Sequence, residues 1–166
     1  PDFEKTLEAM VQGKFDLEAA KKRAAEKARE EKELRRAGEM LEAYFSAAME
    51  KGVTKETQKA GARIVEEFAS AERVMNFLAW NLLVSNKLPD KNRDLPLALK
   101  AAKAGVDATE GQSPDIRDTY ALALFKTGKV EEAIATQKKA VELATDKAMV
   151  EALQKRLDEF TAGAKE

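Results

Sequence analysis

The chain of 166 residues has no cysteine and no histidine, so any chemistry must come from carboxylates, amines, guanidinium groups, hydroxyls and amides. That composition removes disulfides, thiolate nucleophiles and thiolate metal sites. It also removes the commonest general base and metal ligand. With 30 acidic residues, carboxylate pairs are frequent by composition alone. Two carboxylates working on one substrate need i,i+3 or i,i+4 spacing on an inward helix face. Glu66-Glu67 and Glu131-Glu132 are sequence neighbours and diverge on a helix, while Glu26 and Glu30 have the spacing but sit in a charged stretch that reads as a solvated face. Asp90, Asn92 and Asp94 alternate like the opening of a calcium loop. Such a loop needs Gly at its sixth position and Glu at its twelfth, where this chain has Leu95 and Ala101. Asp94 reads instead as a helix cap. No phosphate-cradling glycine loop or nucleophile elbow occurs. Neither Tyr44 nor Tyr120 has a basic partner by spacing. No catalytic residue, metal site or cofactor is assigned, and a non-enzymatic role is expected.

The charge balance points the same way. The chain carries 29 basic against 30 acidic residues. Neutralising phosphates takes a basic surplus, so no nucleic-acid partner is expected. A hydrophobic fraction of 44% is globular rather than disordered, and the length suits one domain of ordinary size. No segment reaches the roughly 20 apolar residues of a membrane helix, and none opens as a signal segment. No membrane insertion is expected.

Helices must position whatever site exists. Alanine occurs 30 times, whereas glycine (8) and proline (4) are scarce, and no useful alternating strand run is present. The expected fold class is all-α, a repeat-like antiparallel bundle of seven or eight helices. A leading helix spans 2–12 with Phe3, Leu7, Met10 and Val11 as its apolar stripe. Asp16 caps a long helix reaching about Met49, before Gly52. Thr54 opens a third helix carrying Ile64, Val65 and Phe68. A fourth follows Ser70 and is apolar nearly all round, which places it in the core. The clearest loop is 86–93. Asp94 caps a fifth helix with Pro96 in its first turn, and Ser113-Pro114 opens a sixth that ends at Gly128. The seventh and eighth run over 130–143 and 146–161. As domains this reads 1–13, 14–52 and 53–166.

From Asp16 to Glu39 there are eight basic and seven acidic residues, and between Leu17 and Leu34 the only apolar side chains are alanines. Glu18–Lys22, Lys27–Glu31 and Glu31–Arg35 are spaced as opposite-charge pairs. The stretch reads as a solvated helix. Leu17, Ala24, Ala28, Leu34, Leu41 and Phe45 fall loosely on one face, a weak seam for self-association that Glu31 and Gly38 interrupt.

The chain also repeats. Leu97–Val106 matches Glu132–Val141 at an offset of 35 residues. In each copy a small-apolar pair, Ala98-Leu99 or Ala133-Ile134, is followed seven positions later by another, Gly105-Val106 or Ala140-Val141. Leu78-Ala79 matches Tyr120-Ala121 further upstream. Small residues at these positions let antiparallel helices approach closely. Tyr120-Ala121, Phe125, Gly128, Ala133-Ile134 and Ala140 resemble a tetratricopeptide repeat, moderately over 113–146 and more weakly over 72–110. Arg117, Gln137 and Thr145 depart from the family pattern, where Trp, an aromatic and Pro often stand. The resemblance implies a groove lined by the first helix of each repeat. Its candidate lining is Arg73, Asn76 and Trp80 from one repeat and Asp118, Leu122 and Phe125 from the next. Trp80 otherwise reads as core. Asp115, Asp118 and Leu122 stand where a chaperone-tail clamp would need Lys and Asn, so that ligand is not expected.

A broader resemblance is to the C-terminal helical region of some bacterial thioredoxin-like (redoxin) proteins. It rests on the leading helix followed by Gly13-Lys14-Phe15-Asp16, the charged helix, Asn76-Phe77-Leu78-Ala79-Trp80 and the final repeat. It implies an accessory module, extracytoplasmic in many relatives, detached from a catalytic half; Pro1 in place of an initiator Met agrees with that expectation. No redox residue carries over. The expected function is thus a non-catalytic helical-repeat module for protein–protein or interdomain interaction, or else an accessory domain of a redox protein. The expected partner is a protein or an upstream thioredoxin-like domain, with a homodimer through the leading or charged helix as a further option.

Overall fold

The structure, a computed structural model, describes residues 3–11, 13 and 16–164. These form eight α-helices and no strand: α1 (Phe3–Val11), α2 (Leu17–Lys51), α3 (Lys55–Glu67), α4 (Glu72–Val84), α5 (Leu95–Ala108), α6 (Pro114–Lys126), α7 (Val130–Leu143) and α8 (Lys147–Gly163). The expected helix ends at Asp2 and Gln12, the Lys14-Phe15 pair and the Leu7 side chain lie outside the described residues and atoms. Compact units comprise residues 1–38 and 39–166, so the long helix contributes to both.

In the first unit, α1 has 9 residues, too few for a stable helix by itself in water. Asp16 caps α2 as expected, its carboxylate accepting from the Ala19 N–H at 3.0 Å. Glu18 pairs with Lys21 at 3.0 Å rather than with Lys22, and Lys27 meets Glu31 at 3.8 Å. The Glu31–Arg35 pair does not form among the described residues. Leu17, Ala24, Ala28 and Leu34 are all exposed.

The second unit starts inside α2, where Leu41, Tyr44 and Ala48 are buried. Thr54 caps α3 through a capping box with Thr57. α3 lies against α2 and α5 at Gly61, where a Cβ would stand 3.0 Å from the Tyr44 ring and 2.2 Å from Leu97 Cδ2. A larger residue there would require Leu97 to shift. α4 then packs on α5, α5 on α6, α6 on α7 and α7 on α8, while α6 also reaches α4. The small residues of the sequence repeat are buried: Ala79 and Ala121, Ala98 and Ala133, and Gly105 and Ala140. A Cβ on Gly105 would meet Ile116 Cγ2 at 3.2 Å and Met75 Cβ at 3.6 Å.

The connection between α4 and α5 is a loop by sequence, yet it is anchored rather than solvated. It includes a 3-10 turn at Asp90–Asn92, and Leu88, Asn92 and Asp94 are buried. Asn92 donates from Nδ2 to the carbonyls of Ala48 at 2.8 Å and Met49 at 3.1 Å. Arg93 donates from Nη1 to the Leu82 carbonyl at 3.0 Å and from Nη2 to that of Ser85 at 2.9 Å. Neighbouring residues thereby satisfy the orphan carbonyls ending α2 and α4. The two C-termini sit side by side, and with Phe45 against Phe77 further back these helices run in one direction. Asp94 caps α5 from the Leu97 N–H at 3.0 Å. Asp90 instead pairs with Arg93 at 2.7 Å, so the three calcium-like residues serve three separate partners. Asp146 caps α8 from the Met149 N–H at 2.9 Å, and α8 runs two residues beyond its expected end at Thr161. Ser113 is the one expected cap that fails: its hydroxyl bonds the Asp115 carboxylate instead of a backbone N–H.

Candidate functional site

α4 buries Val74, Met75, Leu78, Ala79, Leu82 and Leu83. The expectation of a wholly buried helix is corrected on one side, because Phe77, Trp80 and Val84 are 52%, 37% and 39% exposed. They follow Arg73 in steps of four, three and four residues, which puts all four on one helix face. Beside this stripe runs the parallel α2. Its Phe45 ring meets Phe77 edge to face with centroids 6.3 Å apart, and Met49, one turn along, is exposed.

On the other side of Trp80 a polar node joins three more helices. Asp118 of α6 is buried. Gln137 of α7 donates from Nε2 to Asp118 Oδ1 at 2.8 Å and to the Leu153 carbonyl of α8 at 3.0 Å. Arg156 of α8 brings Nε within 3.2 Å of the same oxygen. Its guanidinium lies over the Trp80 ring, 5.5 Å from the centroid, a cation–π geometry. Burial pushes the Asp118 carboxyl above its ordinary pKa; Arg156 and the Gln137 hydrogen bond pull it partly back, and Asp115 adds a smaller upward push. Removing a carboxylate from water here outweighs the return from its partners.

The six candidate lining residues divide accordingly. Trp80 and Asp118 are brought together through Arg156. Arg73 is exposed at the open end of the stripe and makes no ion pair among the described residues. Asn76 is half-buried, with its Oδ1 enclosed and unpaired. Phe125 is committed to packing: it stacks on Phe160 of α8 at 4.5 Å with 13° between ring planes. Leu122 is partly buried against the same cluster. The reading of Trp80 as core is replaced by a half-open position under Arg156.

Sequence reasoning gave no site role to Arg156, Gln137 or Phe77, and placed Phe45 only on a seam for self-association. For Phe77 the signal was present, since it shares the four-three spacing of Arg73 and Trp80. For Gln137 the signal was a polar residue at a position where an aromatic commonly packs. Nothing in the sequence marks Arg156, whose role depends on where α8 lands.

Chemically, the node pairs the Asp118 carboxylate with the Arg156 guanidinium and the Gln137 amide. Tyr44 is likewise committed, its phenol held well above the ordinary range by burial and then by the charge of Asp94. No three carboxylates converge on a metal-sized site among the described residues. No described helix is long and apolar enough to cross a membrane. The surface combines a flat aromatic edge, aliphatic neighbours and two guanidinium groups. Comparison with known proteins returns no matching family model, no matching curated protein and no matching solved structure.

Proposed function

We propose that the chain is a non-catalytic helical-repeat module, similar to tetratricopeptide arrays, that mediates protein–protein or interdomain interaction. The carrying observation is the stripe Arg73, Phe77, Trp80 and Val84, left open on a helix whose other faces are closely packed. Apolar groups aligned on an ordered surface favour a partner that removes them from water. Support for the repeat reading comes from the equivalent burial of Ala98 and Ala133 and from the serial packing of α4 to α8. The test is affinity capture from a native extract with wild type and the Arg73→Glu and Phe77→Ser variants, whose folding is checked by circular dichroism. A partner held by wild type and lost by both variants is expected. No partner above control at several salt concentrations overturns the proposal.

The second reading, an accessory domain of a thioredoxin-like redox protein, is favoured by one observation. Phe3 and Met10 of α1 are 75% and 50% exposed, as befits a helix whose apolar side faces something else. Hydrogen exchange on the monomer should find α1 open. Protection of α1 equal to that of α4 overturns this reading.

A further inference from the structure

The polar node joining α6, α7 and α8 is short of one hydrogen-bond donor. Gln137 is wholly buried, and its Nε2 donates to Asp118 Oδ1 at 2.8 Å and to the Leu153 carbonyl at 3.0 Å. A carboxylate and a carbonyl only accept, which fixes the amide with Nε2 toward them. Gln137 Oε1 is left enclosed and without a partner. An amide oxygen shut away from water with no donor is costly.

A carboxylic acid and a primary amide fit each other through two hydrogen bonds. The amide N–H donates to one carboxyl oxygen, and the carboxyl O–H donates back to the amide oxygen. The first of these is present between Gln137 and Asp118. The second needs a proton on Asp118, because an ionised carboxylate has nothing to donate. Protonation thus turns Asp118 into the donor that Gln137 Oε1 lacks.

The same proton loosens Arg156. Its Nε lies 3.2 Å from Oδ1, the oxygen that Gln137 also uses, and its guanidinium rests 5.5 Å from the Trp80 ring centroid. Hydrogen bonds to an ionised acceptor are about twice as strong as those to a neutral one. Against a neutral Asp118 the cation keeps its attraction to the ring but loses its counter-charge. A quarter of its side chain (25%) already reaches solvent, and water is then the better surrounding for a long, mobile cation. The charges that act on Asp118 are Arg156 from α8 and, more weakly, Asp115 from its own helix. α7 presents the uncharged Gln137, α5 meets α6 at the uncharged Gly105 and Ile116, and α4 reaches the node through Trp80 under Arg156. Burial is the largest influence on the carboxyl and favours the proton.

We propose that Asp118 is a proton-operated latch on Trp80. Ionised, it holds Arg156 over the ring; protonated, it pairs with Gln137 through both oxygens, and Arg156 swings out and uncovers the ring. The latch lies within one chain and operates whatever partner the module takes.

The test follows the full chain downward from pH 7. Trp80 is the only tryptophan, so its emission and its quenching by acrylamide report the cover directly, while circular dichroism reports the helices. A red shift and stronger quenching are expected in one step, with a midpoint above the ordinary 3.8 and unchanged helix content. Asp118→Asn, whose amide N–H stands in for the carboxyl O–H, should show the acid-form signal already at pH 7 and no step. Arg156→Gln should abolish the step while the Asp118 carboxyl carbon still titrates by nuclear magnetic resonance. In the wild type, with no substitution to disturb folding, the Arg156 Nε–H resonance should move with the midpoint of that carboxyl carbon. A Trp80 signal that stays flat until the helices melt overturns the proposal. So does a step that survives in Asp118→Asn, or an Arg156 resonance that stays still while Asp118 titrates.

Discussion

Gly61→Ala gives the sharpest check on the packing that fixes α2, α3 and α5 together. A Cβ there would stand 2.2 Å from Leu97 Cδ2 and 3.0 Å from Tyr44 Cε2. Both neighbours are buried, so neither side chain can swing into solvent to make room. Overpacking of this kind costs about 2 kcal/mol, and relief of helix glycine returns about 1 kcal/mol. The expected net loss is therefore about 1 kcal/mol, or roughly 2–4 °C in Tm for a chain of this length. Gly38 supplies the control. It too is a helix-interior glycine, in α2, but nothing comes within 4 Å of its added Cβ, so Gly38→Ala should gain about 0.5–1 kcal/mol. Leu97→Ala alone should cost about 2–5 kcal/mol through its cavity. In combination with Gly61→Ala the cost should fall short of the sum by 1 kcal/mol or more, since the new methyl enters the space vacated. Urea denaturation followed by far-ultraviolet circular dichroism measures all four variants. Equal gains from the two glycine replacements, or strict additivity of the double variant, refute the close approach of α3 to α5.

Asp118 has a raised folded pKa against an ordinary value of 3.8. Its contribution is therefore fully favourable below about 3.8 and lost as pH rises through the folded pKa. Wild type should gain stability relative to Asp118→Asn between pH 7 and pH 4, and urea titrations giving a constant or opposite difference refute that sign. Asn92→Ala removes two hydrogen bonds that close α2, at 2.8 and 3.1 Å. It should cost about 1–3 kcal/mol and speed amide exchange in the last turn of α2; Asn92→Asp, which sets a carboxylate against those carbonyls, should be worse. Phe160→Ala deletes the ring stacked on Phe125 and should cost about 3–5 kcal/mol. Limited proteolysis should then cut within α8 first, and cleavage elsewhere first argues against that helix being held by this stack.

How much of this was legible before any coordinates follows from how local each interaction is. Asp16, Thr54, Asp94 and Asp146 cap helices through N–H groups three residues away, and an interaction that short is written in adjacent letters. Ser113 looks the same on paper, but Asp115 lies two residues on and takes its hydroxyl first. The repeat spacing picked out small residues that are buried, and at Gly105 the reason is visible, since an added Cβ would meet Ile116 and Met75. Trp80 was harder. Composition argued for burial, and only the placement of α8, more than 60 residues along the chain, decides that Arg156 covers it from one side while the other side stays open. Asn92 was ambiguous for the same reason: its partners at Ala48 and Met49 are 44 and 43 positions away. Residues on one helix face could be foreseen, and residues that meet across helices could not.

The loop between α4 and α5 also sets where the chain can change length. It is the longest connection in the second unit, and long connections are ordinarily where insertions accumulate. Here Asn92 and Arg93 hold two helix ends at once, so residues added between Asn92 and Arg93 would uncouple those ends. The short link from α7 to α8 behaves oppositely. Thr145 is exposed, and the backbone hydrogen bonds on either side belong to Ala144 and to the Asp146 cap. A reporter domain or an evolutionary insertion between Ala144 and Thr145 leaves every one of them in place. Growth and grafting are therefore permitted at one of the shortest turns and forbidden at the longest.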